Sequence, residues 1–97
     1  MQEIWAEGTM YLPMDDNDKV KYVELQYCIK HYDKPSKYGI GKGRISKVEL
    51  RMDDAVVCSY DRGWSIRPTC GVAEKALKDI LHCYDGRDVD ADIPYDG

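Results

Sequence analysis

The chain has 97 residues, of which 43% are hydrophobic and 33% are charged. This composition excludes a disordered chain, and the length provides for a single core. We find no apolar run long enough for a signal peptide or a membrane span, so we expect a cytoplasmic protein whose four cysteines are reduced.

Four stretches have the period-two alternation of β-strands. Residues 3–12 and 20–32 alternate apolar with polar or aromatic positions, and the polar stretch 14–19 separates them as a turn. Residues 44–52 and 55–61 alternate in the same way on either side of a two-residue Asp-Asp turn. These stretches predict two β-hairpins that form one antiparallel sheet.

The alternation in the third stretch assigns its residues to two faces. Alternation places Val48 and Leu50 on one face, together with Met52. It places Ile45 and Lys47 on the opposite face with the charged residues that follow. We therefore expect Ile45 to point away from the core.

The pattern changes to that of a helix near the C-terminus. Apolar residues at 73, 76, 77, 80, 81 and 84 follow the spacing of one helix face. Thr69 is the predicted N-cap, and Gly86 is the predicted stop. The whole pattern predicts an α+β fold, in which one amphipathic helix packs on one face of a four-stranded antiparallel sheet. We expect a single domain at residues 1–84 and an acidic tail at residues 85–97.

Charge is unevenly distributed along this chain, whose net charge is −4. Residues 30–47 contain six bases and one acid, whereas residues 1–29 contain six acids and two bases. Residues 85–97 contain five aspartates and one arginine. A basic segment therefore lies between two acidic ends.

Three alternate glycines, Gly39, Gly41 and Gly43, lie in the basic segment, within a loop predicted at residues 33–43. Backbone N–H groups around glycines can bind a phosphate, but the known phosphate-binding loops need other spacings and a following helix. Turn formation between strands explains the glycines without a ligand. The alternative is an anion or nucleic-acid contact through the bases of the segment, which are Lys34, Lys37, Lys42, Arg44 and Lys47.

The acidic tail is either a solvated segment without a partner or, as the first functional hypothesis requires, the surface for a protein partner. Its carboxylates could occupy a basic groove built for nucleic-acid phosphates, and such binding should weaken as salt rises. The spacing of the aspartates does not complete a calcium-binding loop. The predicted partner-binding residues are Asp85, Asp88, Asp90, Asp92 and Asp96.

We find no pattern typical of a catalytic site, a metal site or a cofactor site. The cysteines and histidines lack the spacing of a zinc site, and no nucleophile motif is present. Asp61, Arg62 and Trp64 lie in the stretch YDRGW, which we interpret as a strand end closed by a local ion pair, with the tryptophan over the edge of the core. We therefore expect a protein that is not an enzyme.

Three stretches, WAEGTM, HYDKPSKYGIGKGRISKVELR and SYDRGWSIRP, follow one another in a recognisable order. In them the chain resembles an uncharacterised family of small bacterial and phage proteins. The resemblance covers roughly residues 5–84, and the central stretch is its most specific part. Val48 stands where the family usually has leucine, and the aspartate tail is an addition. The resemblance implies a small α+β fold in a phage or mobile element, and it implies no reaction.

Two functional hypotheses follow. The first is a non-enzymatic phage protein that binds and inhibits a host protein, such as a CRISPR or other defence nuclease, by its acidic surface in the host cytosol. This hypothesis implies no cofactor, no membrane contact and no direct DNA binding, and it rests partly on the association of small acidic phage proteins with that role. The second is a nucleotide- or anion-binding module that uses the glycine loop at residues 34–47. A purely structural role is the third alternative.

Overall fold

A computed structural model of the chain describes residues 3–16 and 19–85. Its strands are β1 (Glu3–Asp16), β2 (Lys19–Tyr32), β3 (Ile45–Met52), β4 (Ala55–Asp61) and β5 (Trp64–Ile66), followed by helix α1 (Gly71–Asp85). The strands form one antiparallel sheet in the order of the chain. The α+β class, the antiparallel sheet and the C-terminal helix are confirmed. The predicted strand count of four is wrong, because the sheet has five strands.

The additional strand is β5, which follows β4 after a two-residue turn. Tyr60 pairs with Trp64, and Arg62 in the turn has a left-handed φ of 60°. The YDRGW stretch therefore contains the end of β4, a two-residue turn and the start of β5. Three residues are too few to show an alternation, which is why the sequence pattern did not indicate this strand.

The alternation predicted for the first two strands is confirmed. Leu12, Leu25 and Ile29 are buried on the face that α1 covers. Trp5 and Tyr22 are exposed on the opposite face of the sheet. We call this opposite face the open face. Strands β1 and β2 pair along their whole length, whereas β3 pairs with β2 only from residue 26 to residue 31.

The prediction that Ile45 points away from the core is wrong, since Ile45 is fully buried. Lys30 pairs with Lys47 while His31 pairs with Ile45, so Ser46 is an extra residue between the two pairs. Such a bulge places two residues opposite one and interrupts the alternation. The backbone carbonyl of Ser46 accepts a hydrogen bond from the Arg62 N–H at 3.0 Å, which ties the bulge to the β4–β5 turn.

Helix α1 packs its apolar residues against the sheet. Ala73, Ala76, Leu77, Ile80 and Leu81 are all buried, as the spacing predicted. In its last turn, the Tyr84 ring lies 5.1 Å from the ring of His31. The helix therefore ends at the same end of the sheet at which β2 ends.

The helix begins later than the Thr69 cap predicts. The backbone carbonyl of Cys70 accepts the first helical hydrogen bond, from the N–H of Glu74 at 3.0 Å. Thr69 instead donates its N–H to the Val57 carbonyl of β4 at 3.0 Å. This bond holds the connection between β5 and α1 against the sheet. The predicted stop at Gly86 lies outside the described residues. No helix of the described residues is both long enough and apolar enough to cross a membrane.

The cysteines differ in exposure, and this predicts a difference in reactivity. Cys58 is fully buried, and burial raises the pKa of its thiol to about 12, whereas Cys83 is exposed. Thiol reagents attack the thiolate of an accessible cysteine. With a thiol-specific reagent at pH 8, we expect rapid labelling of Cys83 and no labelling of Cys58 until the chain unfolds. Mass spectrometry of the digested protein measures both rates, and the Cys83→Ser variant is the control that lacks the rapid phase. Equal rates at both cysteines would contradict the described packing of Cys58.

Candidate functional site

The glycine loop between β2 and β3 folds on itself. It contains one 3₁₀ turn, Ile40–Lys42, in which Gly41 has a left-handed φ of 57°. The Gly39 N–H donates to the carbonyl of Ser36 at 3.2 Å, and the Gly43 N–H donates to the carbonyl of Ile40 at 3.1 Å. These two N–H groups are used inside the loop, so neither of them is available to a phosphate.

The loop is also fixed to the core. Ile40 is fully buried, although it lies between two glycines in a connection between strands. The buried Tyr60 hydroxyl donates a hydrogen bond to the backbone carbonyl of Tyr38 at 2.8 Å, and burial raises the pKa of that hydroxyl. The backbone of Tyr38 is therefore held in place, while its ring remains 43% exposed.

Two cationic groups lie over the exposed Tyr38 ring. The Nζ of Lys37 is 5.1 Å from the centre of the ring. The guanidinium carbon of Arg62, from the β4–β5 turn, is 4.9 Å from the same point. Both distances are within the range of attraction between a cation and an aromatic ring. The contact joins the glycine loop to the β4–β5 turn.

A second exposed ring has the same kind of environment. Trp5 is 51% exposed on the open face and pairs across β1 and β2 with Lys30, which in turn pairs with Lys47 of β3. The Nζ atoms of these two lysines lie 5.6 Å and 5.7 Å from the centre of the Trp5 ring. The Trp5 Nε1 donates a hydrogen bond to the Glu3 carboxylate at 2.8 Å, which orients the indole.

Both rings lie at one end of the sheet. This is the end at which β1 starts, β2 ends, β3 starts and β4 ends, so residues 3–5, 30–47 and 61–62 meet there. The described side chains of these ranges include six lysines and arginines against three carboxylates. We call this surface the cationic end and define it by the residues of the two ring clusters, which are Trp5, Lys30, Lys37, Tyr38, Lys47 and Arg62.

A row of acidic residues limits the cationic end along the open face. Glu7 pairs with Cys28, which pairs with Glu49, in the row next to that of Trp5. The Cys28 Sγ donates to the Glu7 carboxylate at 3.5 Å. Burial, that hydrogen bond and the charge of Glu7 raise the pKa of the Cys28 thiol, whereas the charge of Lys47 lowers it. This row therefore brings two carboxylates next to the lysines, of which Glu49 is paired with Arg51 at 3.0 Å.

Only some of the site residues predicted from the sequence lie at the cationic end. Lys37 and Lys47 belong to the cationic end. Lys34 and Arg44 are exposed in and just after the glycine loop, and the Arg44 carbonyl accepts a hydrogen bond from the Tyr32 N–H at 3.0 Å. The side chain of Lys42 lies outside the described part of the chain. Among the structural-motif residues, Trp64 packs edge-on against Tyr60, with 5.1 Å between the ring centres.

Nearly all of the predicted acidic tail lies outside the described residues. Asp85 is the last residue of α1, and its side chain is not described. The other predicted partner-binding residues, Asp88, Asp90, Asp92 and Asp96, lie outside the described residues. The partner hypothesis built on them therefore stays a prediction.

Trp5 and Lys30 are not among the site residues predicted from the sequence. Both lie in strands whose alternation indicates only that they point away from the core. Their approach to Lys47 depends on the pairing of β1 with β2 and of β2 with β3. A signal did exist, since Trp5 is an aromatic residue at a solvent-facing strand position and Lys30 begins the basic segment.

In the described part of the chain, neither a metal site nor a cavity is found at the cationic end. In residues 3–16 and 19–85 there is no group of three His, Cys, Asp or Glu side chains that could hold a metal ion. A cavity of about 510 Å³ lies between the β1–β2 hairpin and the start of α1, and Leu12, Val23, Met52 and Val72 are among its lining residues. The rings and cations described above lie at the other end of the sheet.

The fold and the site define a two-layer α+β domain with a cationic and aromatic surface at one end of its sheet. A family model described as a domain of unknown function (DUF7678) matches residues 4–85, and the chain belongs to this family. Comparisons with curated proteins and with solved structures gave no match.

Proposed function

We propose that this chain is a non-enzymatic binding module that holds an anionic partner at its cationic end. One observation carries the proposal: two exposed aromatic rings at one end of the sheet each have two cationic groups within 6 Å of the ring centre. Such clusters offer positive charge and a flat apolar surface together. This proposal develops the anion-binding alternative drawn from the basic segment, but it moves the contact from the glycine backbone to side chains.

The local charge supports an anionic partner although the chain as a whole has a net charge of −4. Charges interact over about 8–10 Å at physiological ionic strength, so a partner at the cationic end responds mainly to the charges near it. Those charges are predominantly positive. Binding should weaken as salt rises.

Retention on a heparin column tests this proposal, because the net charge of the chain alone predicts repulsion. We expect the full chain to be retained at low salt and to elute as salt rises. Replacing Lys30 and Lys47 with glutamine should abolish retention. The matched control replaces Lys75 and Lys78 of α1 with glutamine, which changes the net charge equally and should leave retention unchanged.

Two results would contradict the proposal. One is a wild-type chain that passes through heparin at low salt. The other is equal loss of retention in the two double variants, because that would mean that only net charge matters. A thermal melt of each variant shows whether it is folded.

A second candidate function rests on the charge of the C-terminal segment. Five aspartates within residues 85–97 favour a basic protein partner. In this second proposal the chain is encoded by a phage or mobile element, and it inhibits a nuclease of the host. Binding to a polylysine surface would support it. Replacing Asp88, Asp90, Asp92 and Asp96 with asparagine should remove that binding and leave retention on heparin in place.

A further inference from the structure

We infer that the anionic partner is a single-stranded nucleic acid, with one base stacked on the ring of Trp5 and phosphates beside Lys30 and Lys47. This inference rests on the proposed function, because it specifies the partner of the cationic end. Proteins that bind single strands combine aromatic rings, on which bases stack, with cations along the backbone of the strand. A nucleotide presents a flat base and a phosphate together, and each ring cluster offers a complement to both.

The environment of Trp5 favours stacking. The ring is half exposed on the open face, which α1 does not cover, and the hydrogen bond from its Nε1 to Glu3 fixes its orientation. A partner therefore meets an apolar surface that is already ordered and loses little side-chain entropy on contact. A phosphate alone would need only the lysines, so the exposed ring distinguishes a nucleotide from a simple anion.

The second ring favours a chain of nucleotides over a single nucleotide. Tyr38 is exposed and has Lys37 and Arg62 over its ring. Trp5 is on β1 and Arg62 follows β4, so the strands that carry these two residues are roughly three strand spacings apart, or about 14 Å. Two separate units of ring and cation suit a strand that crosses the end of the sheet.

The carboxylates beside the Trp5 cluster determine the direction in which the nucleic acid would run. Glu7 lies next to the row of Trp5 and Lys30, so a phosphate backbone that ran along β1 and β2 would meet its carboxylate at once, whereas the carboxylate of Glu49 is paired with Arg51 at 3.0 Å. The nucleic acid must instead cross the strands, from Trp5 toward Arg62. This predicts a short site of a few nucleotides. In a duplex the bases are stacked on each other, so their faces cannot reach Trp5.

This inference departs from the expectation of no direct DNA binding, which belongs to the inhibitor hypothesis. The net charge describes the whole chain, whereas the contact would involve only the end of the sheet. A phosphorylated peptide is a different class of partner, and it would use the lysines and Arg62 but leave the face of Trp5 without a base.

Fluorescence polarisation with the full chain tests the inference at low salt. The probes are a labelled single-stranded oligothymidine of twelve nucleotides, a labelled duplex of the same length, and unlabelled polyphosphate as a competitor. We expect the single strand to bind more tightly than the duplex. Trp5→Ala should weaken single-strand binding by about fivefold to 150-fold, the range measured for loss of one stacked base.

Two further variants separate stacking from structural effects. Trp5→Phe keeps a flat ring and should retain most of the affinity for the single strand. Tyr22→Ala removes an exposed ring at the other end of the open face and should leave the affinity unchanged. Because Trp5 is half exposed, its variants should melt at nearly the wild-type temperature.

The outcomes distinguish this inference from the proposed function. If the duplex binds as tightly as the single strand, or if polyphosphate binds as tightly and Trp5→Ala has no effect, the inference is wrong and the anionic partner is of another kind. If none of the three anions binds and heparin does not retain the chain, the proposed function is wrong as well.

Discussion

Replacing Leu77 with alanine should lower the free energy of unfolding by about 2–5 kcal/mol, the usual range for removing a fully buried leucine. Leu77 has no exposed surface and lies in the middle of the apolar face of α1. The substitution removes apolar contacts and leaves a cavity between the helix and the sheet. Urea denaturation followed by circular dichroism measures the change.

Lys75 provides the matched control for Leu77 because it lies on the same helix and is exposed. Lys75→Ala should change the free energy of unfolding by no more than about 0.5 kcal/mol. A denaturation curve of Leu77→Ala that overlays that of the wild type would show that the helix does not pack on the sheet through this residue.

Replacing Gly39 with alanine should lower the free energy of unfolding by about 1–3 kcal/mol or more. This is the usual range for inserting atoms into a closely packed site. The backbone of Gly39 is extended, with φ at −73°, so the reason is not its conformation. An added Cβ would collide with the carbonyl group of Gly43. The obstacle is the backbone of Gly43 and not a flexible side chain, so the loop must open before a methyl group fits.

Gly71→Ala is the control for Gly39→Ala. Gly71 is the first residue of α1, and an added Cβ there would have no atom within 4 Å. We expect its effect on stability to be neutral or slightly favourable, because alanine restricts the unfolded chain. Equal melting temperatures for the two alanine variants would contradict the close contact between Gly39 and Gly43.

The sequence was sufficient for the elements that are long and periodic. The alternation in β1 and β2 placed Leu25 and Ile29 on the core face, and the helical spacing placed Leu77 and Leu81 there. It was insufficient where a pattern is short or interrupted. The three residues of β5 are too few to show a period. The bulge at Ser46 turns Ile45 to the core face, and nothing in the order of apolar and polar residues indicates a bulge there.

The candidate site was predictable only in part, for a related reason. The basic segment indicated Lys37 and Lys47, because both residues belong to it. Trp5 and Arg62 are distant in sequence from that segment, and they reach it only through strand pairing. The glycine loop was predicted as a connection, but the burial of Ile40 and the contact of Gly39 with Gly43 depend on tertiary packing.

The placement of β1 and α1 at the cationic end has a consequence for how binding can be measured. Ile4 pairs with His31, and Tyr84 lies against the same histidine, so β1 starts and α1 finishes beside the cationic end. A fluorescent dye attached to the exposed Cys83, in the last turn of α1, would therefore lie near the surface under test. The turn at Asp53 and Asp54 is exposed and lies at the opposite end of the sheet. A cysteine introduced there in a variant without Cys83 would hold a reporter group away from the partner.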